Sequence, residues 1–81
     1  MKPNIQKRLL RYLFIIRTAK DITVLQDEFL FFVGVVNEMQ RMEYISNDEY
    51  EKVMELATNA HARRYGFLLY NRKDYFLNTI K

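Results

Sequence analysis

Apolar side chains return every three or four residues along most of this chain. Over residues 4–19, Ile5, Leu9, Leu13 and Ile16 form one stripe, widened by Tyr12, with Leu10 and Phe14 as a second row beside it. That spacing predicts an amphipathic helix, and two rows predict contact with more than one neighbour. Lys7 and Arg11 stand one turn apart on another face. Residues 24–42, VLQDEFLFFVGVVNEMQRM, repeat the pattern with Leu25, Phe29, Phe32, Val36 and Met39, while Phe31, Val33 and Val35 carry apolar surface onto other faces. A helix that is apolar over most of its circumference is normally covered from several sides, so this segment is expected to be the central helix. A third helix is predicted over 47–64, with Tyr50, Val53, Met54, Ala57, Ala60 and Arg64 on one face.

Boundary residues agree with this division. Pro3 suits the start of the first helix and Asn4 is placed to cap it. Asp21–Thr23 is the expected break, with Thr23 and Gln26 as a capping box and Asp27 and Glu28 in the first turns, where the helix dipole favours negative charge. Ser46 and Glu49 form the clearest capping box, flanked by Ile45 and Tyr50 at the positions of a hydrophobic staple. Gly34 interrupts the central helix at a cost of about 1 kcal/mol relative to alanine; either another helix approaches closely there or one glycine is simply tolerated. Gly66 is expected to end the third helix in the left-handed position, with Phe67 as the following hydrophobic contact and Arg63 and Arg64 suiting the C-terminal dipole.

The tail FLLYNRKDYFLNTIK has two readings. It forms a fourth short helix, with Leu69, Tyr75 or Phe76 and Ile80 inward, or a hairpin of FLLY and YFLN around Asn71–Asp74. Aromatic enrichment favours strands, while the lack of glycine disfavours tight hairpin turns. One proline and two glycines in 81 residues argue for helices on short connections. The expected fold is therefore all-α: one helical domain over 1–81, a three-helix or four-helix bundle, with the short C-terminal hairpin as the alternative for its end.

Composition changes this picture in one respect. Hydrophobic residues make up 49% of the chain and twelve are Phe or Tyr. A domain this short buries only about 60% of the surface its unfolded chain exposes. No cysteine is present to staple it. The excess apolar surface predicts a homodimer or a protein partner. Leu10, Phe14, Phe31, Val35, Tyr65, Phe67, Tyr70, Tyr75 and Phe76 are the candidate interface residues.

Charge is segregated. Residues 1–20 hold six Lys/Arg and no acid, residues 21–60 hold nine acids against Arg41 and Lys52, and residues 61–81 hold five Lys/Arg against Asp74. Either the ends pack against the middle, within or between chains, or the basic segments contact an acidic partner or nucleic acid. The run HARRYGFLLYNRKDYF (residues 61–76) combines cations with aromatic rings, which suits both unpaired bases and a protein interface. Candidate nucleic-acid contacts are Lys7, Arg8, Arg11, Arg63, Arg64, Arg72 and Lys73. Three helices and a hairpin would also describe a winged-helix domain, but Asp48, Glu49, Glu51 and Glu55 on the third helix would repel phosphate.

Catalytic and metal chemistry is thinly supplied. Ser46 is explained as a cap, and His61 lies fifteen residues further along the same helix, out of its reach. The carboxylates of residues 48–55 lack the Glu-x-x-His pairing of helical metal sites, and no glycine-rich phosphate loop occurs. The longest apolar run, Phe29–Val36, is far short of the roughly 20 residues of a membrane span. Arg8, Arg11 and Arg17 interrupt or bound the N-terminal apolar run, against a signal peptide. The expectation is a small non-enzymatic regulatory or adaptor protein of the cytoplasm, of a kind mobile elements often encode. It would act by protein–protein binding as a helical homodimer, with no cofactor, metal, membrane or small-molecule substrate. The alternative is a nucleic-acid-binding transcriptional or nucleoid regulator that uses the basic ends.

Overall fold

A computed structural model describes the backbone of residues 1–80 and the side chains of residues 1–71. Three helices follow one another: α1 (Pro3–Arg17), α2 (Ile22–Arg41) and α3 (Asn47–Ile80). Each packs on the other two, and no strand occurs among the described residues.

The predicted stripes form the core. Leu9, Leu13 and Ile16 of α1 meet Leu25, Phe32, Val36 and Met39 of α2 and Val53, Ala57 and Ala60 of α3, all buried. Ile5, Tyr12, Phe29, Tyr50, Met54 and Leu68 pack around them. Fully burying a Leu, Ile or Phe side chain contributes about 1.5–3 kcal/mol each. Small Ala57 and Ala60 let α3 lie close against the other two helices.

The connections differ in part from expectation. α1 starts with Pro3 at its first position and Lys2 as a cap without a side-chain bond, so Asn4 lies inside the helix. α2 begins two residues early: Asp21 is its cap and its Oδ1 accepts the Val24 N–H at 2.8 Å. Aspartate is at least as good a cap as threonine, so the box expected from Thr23 and Gln26 is not used. α2 ends in a backbone closure in which Tyr44 N–H donates to Met39 O at 2.8 Å and Glu43 N–H to Gln40 O at 3.0 Å. Glu43 takes the left-handed position (φ 63°) usually given to glycine. The box before α3 is as predicted: Ser46 Oγ accepts from Glu49 N–H at 3.1 Å and Glu49 Oε1 accepts from Ser46 N–H at 2.9 Å. Ile45 is buried and Tyr50 half-buried on the same core.

The largest departure is at the C-terminus. α3 does not stop near Arg64 but runs on to Ile80, 34 residues in all. Gly66 has no positive φ, and a Cβ there would meet nothing within 4 Å. It is a helix-interior glycine, not a cap. Neither the separate fourth helix nor the hairpin forms, because the backbone of the tail continues α3. With no proline after Gly66, one glycine costs too little to break the helix. At about 1.5 Å per residue α3 is about 51 Å long, close to the 55 Å longest dimension of the molecule. α1, with 15 residues, and α2, with 20, flank only its first part.

Candidate interaction surfaces

α2 is not enclosed within its own chain. Its buried stripe faces α1 and α3, but Leu30 is 66% and Phe31 55% exposed outside that stripe. These two residues, with Gly34, Val35 and Met42, floor a groove of about 440 Å³ beside α1. Arg8 and Glu38 also line it. Tyr44 closes one end, brought there by the backbone closure at Glu43.

The α1 wall of this groove is built by local contacts. Tyr12 sits edge-on to Phe31, centroids 5.6 Å apart, and to Phe32 at 6.3 Å. Arg8 Nε donates to the Tyr12 hydroxyl at 3.0 Å. Gly34 lies in the middle of the floor, and a Cβ on it would meet open space. No helix of the same chain therefore approaches it.

A second seam runs between α1 and α3. Leu10, Leu56 and Lys52 line its N-terminal part. Further along, Arg17, Arg63 and Arg64 with Asn59 surround a pocket of about 360 Å³ that no carboxylate lines. Phe14, one turn before Arg17, is 64% exposed. Arg64 Nε donates to Ala19 O at 2.8 Å, and its guanidinium lies 4.7 Å from the Phe67 ring centroid.

The candidate interface residues thus divide between surfaces. Phe31 and Val35 belong to the α1/α2 groove, whereas Leu10 lines the α1/α3 side and Phe14 is exposed on α1 one turn from Arg17. Tyr65, Phe67 and Tyr70 are exposed along the second half of α3. Of the basic candidates, Arg8 is drawn to the groove, Lys7 and Arg11 stay exposed on α1, and Arg63 and Arg64 share the α3 pocket. Tyr75, Phe76, Arg72 and Lys73 lie outside the described side chains. Leu30, Met42 and Tyr44 were missed, although Leu30 and Met42 fall off the buried stripe of a helical wheel. In the sequence Arg17 bounds an apolar run, and nothing in the local pattern joins it to Arg63 and Arg64.

Among the described residues, ionic contact of the basic ends with the acidic middle is limited to the Met1 ammonium on Glu49. The ion pairs there are Arg41 with Glu38 at 2.6 Å and the Met1 ammonium with Glu49 at 2.8 Å. No Lys or Arg side chain of α1 pairs with a carboxylate among those residues. The Met1 ammonium, then the Ser46 N–H, hold the Glu49 carboxyl down at about 2. His61 is half-buried against Phe29, centroids 4.5 Å apart, and its Nε2 has no hydrogen-bond partner. Among the described residues no three acidic, His or Cys side chains gather to hold a metal, and no helix is long and apolar enough to cross a membrane.

Comparison with known protein families, with curated proteins and with solved structures finds no match to this chain.

Proposed function

We propose that this chain is a small regulatory or adaptor protein that acts by protein binding rather than catalysis, and that it pairs with a second copy along the outer flank of α2. The observation that carries this reading is the α1/α2 groove, where large apolar side chains stay open to solvent around a glycine. Contiguous exposed apolar surface marks an interaction site. Asp27, Gly34 and Arg41 fall seven residues apart, two helical turns each, on one row. Two such helices laid antiparallel with Gly34 on the two-fold axis place Asp27 of each opposite Arg41 of the other. A self-complementary row of this kind is what a two-fold interface requires. Arg41 is free to make the exchange, because its pair with Glu38 is solvent-exposed and such pairs contribute little.

The chain has no cysteine, so a single engineered one reports its own neighbours. Gly34→Cys is expected to form a disulfide-linked dimer under mild oxidation, since cross-linking needs Cα atoms within about 7 Å. Glu51→Cys, on the far side of α3, is expected to stay monomeric on the same gel. Equal cross-linking of the two variants, or none in Gly34→Cys, would remove the α2 pairing.

A further inference from the structure

The α1/α3 seam is separate from the groove and has a different chemistry. We propose that the pocket formed by Arg17, Arg63, Arg64 and Asn59 binds a backbone phosphate of single-stranded nucleic acid, whose neighbouring bases rest on Phe14 and Phe67.

Three guanidinium groups line one pocket of about 360 Å³ with no carboxylate among its lining residues. Like charges gathered without a counter-charge repel one another, and an anion relieves that repulsion. Arg64 is already positioned, because its Nε is held by Ala19 O while its two terminal nitrogens remain for a ligand. Guanidinium forks suit phosphate oxygens, and the Asn59 amide adds a neutral donor.

The surroundings favour a polymer over a free phosphate. Lys52 lies further along the same seam, and Lys7 and Arg11 are exposed on α1. Phe14 lies one turn from Arg17 along α1 and Phe67 one turn beyond Arg63 along α3, 64% and 51% exposed. Aromatic rings beside a cationic track are how unpaired bases are held. Asp48 and Glu55 share the helical row of Lys52 and Asn59, and Glu49 lines the seam beside Lys52, so phosphate approaches at the arginine end, where the pocket lining holds no carboxylate. This binding does not depend on the α2 pairing and can stand or fall without it.

The test uses a fluorescein-labelled 20-nucleotide single strand and anisotropy across 50–300 mM KCl. Arg17→Gln with Arg63→Gln should make the slope of log affinity against log salt shallower by about 0.7, the share of the one phosphate held in the pocket. The same double substitution should weaken binding at least tenfold at 50 mM KCl. Arg8→Gln with Arg41→Gln removes the same charge from the other surface and should change affinity less than twofold. Arg64 is left intact because it also holds the fold. No binding by the unsubstituted protein at 50 mM KCl, or equal loss in the two double variants, would overturn the proposal. So would equal competition by inorganic phosphate or polyglutamate, or duplex DNA binding as tightly as the single strand.

Discussion

Arg64 Nε donates a 2.8 Å hydrogen bond to the carbonyl oxygen of Ala19, joining α3 to the turn between α1 and α2. α1 ends at Arg17, where its dipole presents partial negative charge, and Ala19 is buried just beyond. A guanidinium there pairs a carbonyl that water reaches poorly. Arg64→Ala should therefore destabilise the protein by about 1–2 kcal/mol. Arg64→Lys should recover only part of this, because lysine lacks the planar fork. Urea denaturation measures both; a loss below about 0.5 kcal/mol for alanine would show that the bond contributes nothing net.

The two glycines should respond differently to alanine. Both have open space where a Cβ would go, and neither has a positive φ. Gly66→Ala should raise stability by about 0.5–1 kcal/mol through helix propensity alone. Gly34→Ala should give a similar gain in the monomer and only a small loss of self-association, since its methyl is smaller than the side chain of the cross-linking variant. Thermal melts over a range of protein concentration separate the two effects. A destabilised Gly66→Ala would restore the helix stop that the sequence suggested.

Glu43 holds a left-handed backbone with a side chain that disfavours it. Such a conformation costs an L-residue roughly 1 kcal/mol or more. Glu43→Gly should therefore stabilise the protein by about 0.5–1 kcal/mol after the added freedom of the unfolded chain is counted. Chemical denaturation midpoints report the gain, and a loss would mean that the glutamate side chain holds the turn by contacts of its own.

Glu49 sets an acid dependence. Its carboxyl is lowered from 4.5 to about 2, first by the hydrogen bond from the Met1 ammonium and then by the Ser46 N–H. A depressed folded-state value stabilises the protein above the unfolded value and ceases to do so as protons return. The contribution of Glu49 should be complete above about pH 4.5 and disappear as pH falls toward 2. Acetylation of the Met1 amine should raise the Glu49 midpoint, as read by carboxyl-carbon NMR titration. Glu49→Gln should flatten stability across this window, and an unchanged pH profile would remove the ion pair.

Stripes and strong caps were legible before the structure was. Leu9, Leu13, Ile16, Leu25, Phe32, Val36 and Met39 recur at the helical period and are all buried, because burial of one face selects that spacing. Ser46 and Glu49 were legible because both halves of a capping box lie within four residues. Where two neighbouring residues could each cap, as Asp21 and Thr23 could, local pattern did not decide the start of α2. Gly66 misled because glycine is frequent after helices, yet its role depends on a backbone angle that residue type does not set. The two surfaces were only half visible. Arg8 follows Tyr12 onto the groove, while Arg17 joins Arg63 and Arg64 from the other end of the chain. That gathering depends on how α1 lies against α3, which no short-range pattern contains.

The pairing of α2 with α2 is tested most directly by the mass of the unmodified protein in solution. Sedimentation equilibrium from 1 to 200 μM should give about twice the 9.9 kDa chain mass at the upper end. Phe31→Glu, at a position 55% exposed in the single chain, should keep its helical circular dichroism and remain at chain mass throughout. A chain mass for the unsubstituted protein at every concentration, or a Phe31→Glu variant that associates equally well, would contradict the account.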